Sequence, residues 1–225
     1  MRVPVSHHTL FFRFNQTVGI AFSLVYYVHL IGFCIHEHEE IVGYKAGYDF
    51  LYDAAKQGQI IDEEFIKKIH SFVLSGKESA GQYRTIQNYV GSLTKVVYIP
   101  PTPSQIENEM KSYVSMLQSD LAKNQALFNQ EKIEWENIFN TLALHHIEFE
   151  KIHPFQDGNG RVGRLIMFKE CLKYNIVPFI IEDNLKMFYY RGLKEWNNER
   201  GYLTDTCLTA QDKYKAYLDY FRIAY

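Results

Sequence analysis

Between residues 153 and 164 the sequence reads HPFQDGNGRVGR, which sets an imidazole, a carboxylate, a glycine-flanked asparagine and two arginines within twelve positions. Asp157-Gly158-Asn159-Gly160 lies just ahead of a helical pattern. Glycines there let the backbone turn its N–H groups toward one point, where the helix dipole favours an anion. Such a nest suits a phosphate. Arg161 and Arg164 are three apart in the first turn of that helix, so they share a face and can grip neighbouring phosphates through forked hydrogen bonds. Asp157 is a poor neighbour for phosphate unless a cation intervenes. One carboxylate completed by substrate phosphates and water is the usual way of holding Mg²⁺, so the charge conflict predicts a metal. His153 precedes Pro154, which biases it toward an extended backbone, and its imidazole can take a hydroxyl proton near neutral pH. Phe155 is expected to anchor the loop in the core. A Gly-Asn-Gly turn, surface arginines and a structural histidine are each commonplace alone; together over one short run they are not.

The rest of the chain must hold this loop in place. Its 225 residues, 47% hydrophobic, are enough for one globular domain with a sizeable core. Lys plus Arg (24) nearly balances Asp plus Glu (26), so no global field draws the protein to nucleic acid or an anionic membrane, and any anion site is local. Cys34, Cys171 and Cys207 are odd in number, far apart and in no metal-ligand spacing, which suits free thiols in a reducing, cytoplasmic setting. Residues 17–35 carry no formal charge over 19 positions, long enough to cross a bilayer. Thr17, Gly19, Ser23, His29 and Gly32 interrupt that run, so a buried element is favoured over membrane attachment through it.

From Glu40 the apolar spacing is mainly helical. Ile41, Tyr44, Tyr48, Leu51 and Tyr52 share a face up to a cap at Gly58, and Asp62 caps a second helix bearing Phe65, Ile66, Ile69, Phe72 and Val73. QYRTIQNYVGSLTKVVYIPP is rich in aromatic and β-branched residues, turns near Gly91-Ser92 and stops at Pro100-Pro101, which predicts a β-hairpin. A lone hairpin is marginal as structure, and a ligand or substrate edge is one use for it. Helices are then expected over about 105–121, with Ser104 as cap, and about 132–151, the latter leading straight into the loop. Another continues through Val162, Leu165 and Ile166, and two more end the chain. The fold class is all-α, a helical bundle with one hairpin.

HPFQDGNGR followed by Arg164 resembles the H-x-F-x-(D/E)-G-N-G-R-x-x-R signature of Fic-domain proteins, an all-helical family of nucleotidyltransferases, with every constrained position matched. The resemblance runs from about residue 40 to 225, leaving 1–39 as an atypical N-terminal segment. GQYRTIQNYVG…YIPP resembles the family's flap hairpin, about 83–99, and YYRGLKEWN the stretch that meets adenine. The resemblance implies a protein adenylyltransferase (AMPylase) that transfers AMP from ATP to a Ser, Thr or Tyr hydroxyl of a target protein and releases pyrophosphate. His153 is then the base. Asp157 holds Mg²⁺, Gly158, Asn159 and Gly160 cradle the α/β phosphates, Arg161 supports them and Arg164 reaches the γ-phosphate. Tyr189, Tyr190 and Asn197 match base-pocket positions, and Thr85, Ile86 and Gln87 fall on the flap edge expected to pair with an extended target segment. Gly160 stands where kinase-like relatives have lysine, which favours nucleotidyl over phosphoryl transfer; the residues alone leave those two open. A non-catalytic nucleotide-binding module, transfer of another phosphate-containing group and removal of AMP are the alternatives. The family's inhibitory motif, (S/T)-x-x-x-E-(G/N), is not found before His36.

Overall fold

The computed structural model describes residues 35–92, 95–132 and 135–223. Positions 17–34 of the apolar run 17–35, nearly all of the segment searched for an inhibitory motif, and Cys34 lie outside the described residues. Among the described residues there are seven α-helices and one two-stranded antiparallel sheet, as the all-α reading with one hairpin expects. No helix among them is long and apolar enough to cross a membrane. The chain divides into two compact units, one ending at Glu170 and the other containing Cys171–Tyr225.

In the first unit, α1 (Ile35–Lys56) ends two residues before the left-handed Gly58, whose neighbour Gln59 donates back to the Ala54 carbonyl at 2.9 Å. Helix α2 (Glu63–Val73) starts where sequence reading places it, because the Asp62 carboxylate accepts the Phe65 N–H at 2.7 Å. Its buried face consists of Phe65, Ile66, Ile69 and Val73, and also His70. A helix over 105–121 was expected; the observed α3 (Ile106–Asn129) is eight residues longer at its C-terminal end. The segment AKNQALFN holds no breaker, and termination waits for the left-handed Glu131. A 3-10 turn, Pro103–Gln105, precedes it, and Thr102 rather than Ser104 leads into the turn, its N–H bonded to the Gln105 side chain at 2.8 Å.

Helix α4 (Trp135–Ile152) buries Ile138, Leu142, Phe149 and Ile152, so its last turn delivers the loop from a fixed face. Helix α5 (Asn159–Lys173) follows the loop and is buried on nearly every side, from Val162 through Leu172. Two of its buried residues are charged: Lys169 donates to Glu170 at 2.6 Å and to the Gln59 carbonyl at 2.7 Å. That pairing is what allows an ammonium and a carboxylate inside. Phe155 is fully buried, as expected, against Phe149 and the ring of His70.

The hairpin is shorter than the expected 83–99: β1 (Val90–Ser92) pairs with β2 (Lys95–Tyr98), with an irregularity after Val90. Thr85 and Ile86 form an exposed bend ahead of β1 instead of a strand. In the second unit, α6 (Lys186–Glu195) is followed by α7 (Gly201–Tyr220), which buries Leu203, Cys207, Ala210, Tyr214 and Leu218 at helical spacing. Cys171 and Cys207 are both buried.

Candidate active site

The loop from His153 to Gly158 connects two buried helices, and its geometry is set by where its carbonyl oxygens go. The His153 carbonyl accepts from Arg84 Nε at 2.8 Å and the Pro154 carbonyl from the Arg84 backbone N–H at 2.9 Å. The Phe155 carbonyl accepts from Asn88 Nδ2 (3.0 Å) and Asn159 Nδ2 (2.9 Å), and that of Gln156 more weakly from Asn88 (3.3 Å). The Asp157 carbonyl is 3.1 Å from His70 Nε2. Since His70 Nδ1 accepts the Gly81 N–H at 2.9 Å, Nε2 is the nitrogen that carries the proton and donates. Five consecutive carbonyls are thus turned toward protein partners.

Asn159 closes the loop in both directions: it is 2% exposed, and its Oδ1 also accepts the Phe155 N–H at 2.9 Å. Its side chain is therefore committed inward, and only its backbone N–H is left to offer a ligand. Gly158 has φ +80, and a Cβ there would sit 3.3 Å from Val73 and 3.5 Å from the His70 ring. Glycine is required twice over, for the left-handed backbone and for the close approach to α2.

His153 differs from its expected extended backbone, with φ +50. The reason is helix termination: its N–H bonds the Phe149 carbonyl at 3.0 Å to end α4, and a left-handed residue just past a helix end is the usual closure. For a non-glycine residue this costs on the order of 1–3 kcal/mol. The Arg84 bond to its carbonyl helps hold it there. The ring is mostly buried, with Nδ1 3.4 Å from the Glu150 carbonyl and 3.8 Å from Glu150 Oε2. Nε2 has no hydrogen-bond partner among the described residues. Burial holds the imidazole pKa below its ordinary value, with the charge of Arg84 adding in the same direction, so the ring is neutral at pH 7.

Asp157 stands at the start of α5 with its side chain 73% exposed, Oδ1 accepting the Gly158 N–H at 2.6 Å and Oδ2 accepting from Arg161 at 2.9 Å. Arg164, one turn further along α5 from Gly160, has Nη1 3.2 Å from the point a Cβ on Gly160 would occupy; Glu150 Oε1 is 3.4 Å from that point. Glu150 is an unusual neighbour: its Oε1 is buried without a hydrogen-bond partner. Burial pushes its carboxyl up to about 7, partly offset by the Arg164 charge. Among the described residues no cluster of three or more His, Cys, Asp or Glu can hold a metal ion. The exposed Asp157 carboxylate fits only a cation whose remaining ligands come from phosphate and water, the manner usual for Mg²⁺.

The structure gathers His153, Asp157, Gly158, Asn159, Gly160, Arg161 and Arg164 around the start of α5. Of the expected flap residues, Thr85 and Ile86 are exposed, while Gln87 turns its amide to the Pro100 carbonyl at 2.9 Å. Within the second unit Tyr189 is buried in α6, whereas Tyr190 is 59% exposed and Asn197 is exposed. Sequence reading missed His70, Arg84 and Asn88, which lie 65 or more positions from the loop atoms they hold. Arg84 and Asn88, polar residues within a stretch rich in aromatic and β-branched side chains, were the available signal.

Residues 60–171 match the Fic/DOC family. The chain is 31% identical over 169 residues to protein adenylyltransferase Fic of Aedes aegypti, covering 74% of this chain and 31% of that protein. It is 30% identical over 170 residues to protein adenylyltransferase Fic of Nematostella vectensis, covering 74% and 36%. It thus spans about a third of the length of these relatives. Among solved structures, Fic-1 of Caenorhabditis elegans (residues 134–508) superposes with a TM-score of 0.62 at 25% identity, over 84% of this chain and 52% of that one. Signature loop, helical frame, hairpin and relatives agree, and the chain belongs to the Fic/DOC family.

Proposed function

We propose that this protein is an adenylyltransferase that moves AMP from ATP to a Ser, Thr or Tyr hydroxyl of a target protein. The observation that carries this reading is the mostly buried His153, its Nδ1 turned to the Glu150 carbonyl, beside a helix start whose preceding loop has turned its carbonyls away. With those oxygens withdrawn, the N–H groups at the head of α5, together with Arg161 and Arg164, leave an anion-binding face suited to a polyphosphate. His153 Nε2 takes the proton as the hydroxyl oxygen bonds to the α-phosphorus. The bond from that phosphorus to the bridging oxygen breaks, and pyrophosphate leaves with the electron pair. Asp157 is the residue suited to hold Mg²⁺, which when bound offsets the charge of the triphosphate.

Absence of a side chain at position 160 matters to the grip, because any Cβ there begins 3.2 Å from Arg164 Nη1 and would press on the guanidinium. The hairpin is the docking edge for the target: Val97, Ile99 and Ile86 are 68%, 58% and 66% exposed, an apolar margin beside strand edges able to pair with an extended segment. The test is intact-mass analysis of the protein and candidate targets after incubation with ATP and Mg²⁺. Addition of one adenylyl group by the wild type and its loss in His153→Ala is the expected result. Equal addition by both proteins removes His153 from the reaction, and tight ATP binding without any addition reassigns the fold to nucleotide sensing.

A further inference from the structure

Arg84 is 4% exposed, and no carboxylate pairs with it among the described residues. Its guanidinium is instead spread over three carbonyls: Nε to His153 at 2.8 Å, Nη1 to Ile86 at 3.1 Å and Nη2 to Pro101 at 2.5 Å. Ile86 lies just before β1 and Pro101 just after β2, so one side chain holds both feet of the hairpin and the backbone of the residue that bears the imidazole. Two further ties run the same way: Asn88 holds the Phe155 and Gln156 carbonyls, and the Tyr98 hydroxyl donates to the Lys151 carbonyl at 2.7 Å. Burying a charge without a counter-charge is a poor way to gain stability, and an apolar side chain would fill the space at less cost. A rigid fork reaching three oxygens is, however, the means by which arginine fixes relative position, and lysine cannot reproduce it.

We propose that Arg84 is a positioning residue that couples the hairpin to His153, so that a target strand laid along the hairpin also sets the imidazole for proton removal. The coupling rests on the reading of His153 as the base and the hairpin as docking edge. Its physical content is a shared anchor. Ordering Ile86 and Pro101 restrains the guanidinium, and the guanidinium restrains a left-handed His153 that has an energetic reason to relax. Nucleotide binding is assigned to other groups, so it is not expected to feel the loss of Arg84 strongly.

The test uses the full chain with Arg84→Lys and Arg84→Met. Amide hydrogen exchange without ligand is expected to quicken in both variants at the hairpin (90–98) and at residues 153–157 together, with α3 protection unchanged. In kinetics, the rate constant for self-adenylylation falls about 10- to 100-fold, the scale of an ångström-sized misplacement, while the Kd for ATP with Mg²⁺ changes less than about threefold. Lysine is not expected to rescue. Should Arg84→Met fail to fold, Arg84→Lys and Asn88→Ala carry the same exchange prediction. Faster exchange in only one of the two segments, or in neither, overturns the coupling. So does a loss of ATP affinity equal to the loss of rate. Joint exchange in a wild-type chain that transfers no adenylyl group upholds the coupling and refutes the reaction.

Discussion

Replacing His70 by phenylalanine separates packing from hydrogen bonding at the joint between α2 and the loop. His70 is fully buried and lies flat on Phe155, with centroids 3.7 Å apart and an interplanar angle of 4°. Phenylalanine keeps a ring in that stack. It leaves the Asp157 carbonyl and the Gly81 N–H without their partner, at about 1–3 kcal/mol for each buried group. The expected loss at pH 7 is therefore roughly 2–6 kcal/mol, a large part of a typical folding free energy. The same bonds fix a pH signature. Burial drives the His70 imidazole from 6.5 down to about 4, so in the folded state it stays neutral while the unfolded chain takes up a proton. A histidine lowered in this way contributes stability above its unfolded pKa and loses it as pH falls toward the folded value. At 1.36 kcal/mol for each pH unit, the advantage of wild type over His70→Phe should shrink by about 2 kcal/mol between pH 7 and pH 5. Urea unfolding of both proteins at pH 7, 6 and 5 measures that difference. A gap below about 1 kcal/mol at pH 7, or one that stays constant with pH, refutes the assigned bonds and tautomer.

Gly163→Ala should lower thermal stability, because a Cβ at that position lies 2.3 Å from Nδ1 of the buried His146. Overpacking outweighs the roughly 1 kcal/mol gain in helix propensity and leaves a net loss of about 2 kcal/mol. At roughly 2–4 °C for each kcal/mol in a chain this size, a melting curve with an unchanged midpoint contradicts the close approach. Glu150→Gln tests the orphan carboxyl. A carboxyl raised to about 7 contributes stability that is lost as pH rises from its unfolded value through 7, so the glutamine variant should gain on wild type by on the order of 2 kcal/mol between pH 5 and pH 8. Parallel stability profiles would show that Glu150 is not held protonated.

Local chemistry was legible in the sequence and long-range support was not. Asp62 announced the start of α2, because a side chain capping its own helix acts within three residues. The glycine-rich loop announced the turn into α5 for the same reason, a left-handed Gly158 just ahead of the helix. At His153 two local influences compete: Pro154 biases it toward an extended backbone, but the α4 terminus, which closes on a left-handed residue, prevails. The hairpin's composition suggested 83–99, yet Arg84 and Asn88 spend their hydrogen bonds on the loop, leaving pairing to begin at Val90. Nothing in period or propensity reveals that a histidine on the apolar face of α2 will meet a carbonyl 87 positions later. Such partners become visible only once the helices are packed.

The Asn159 amide bonds bear on chemical ageing. Asparagine followed by glycine is the dipeptide most prone to deamidation, in which the next peptide nitrogen attacks the side-chain carbonyl carbon. Here the amide is pinned by Phe155 at both its oxygen and its nitrogen, at 2.9 Å each, and the attacking nitrogen of Gly160 belongs to a helix. The loop thereby shields its own weakest covalent point for as long as it stays closed. Loosening it would begin an irreversible change, since an aspartate formed at 159 could not donate to the Phe155 carbonyl, and the closure would not re-form.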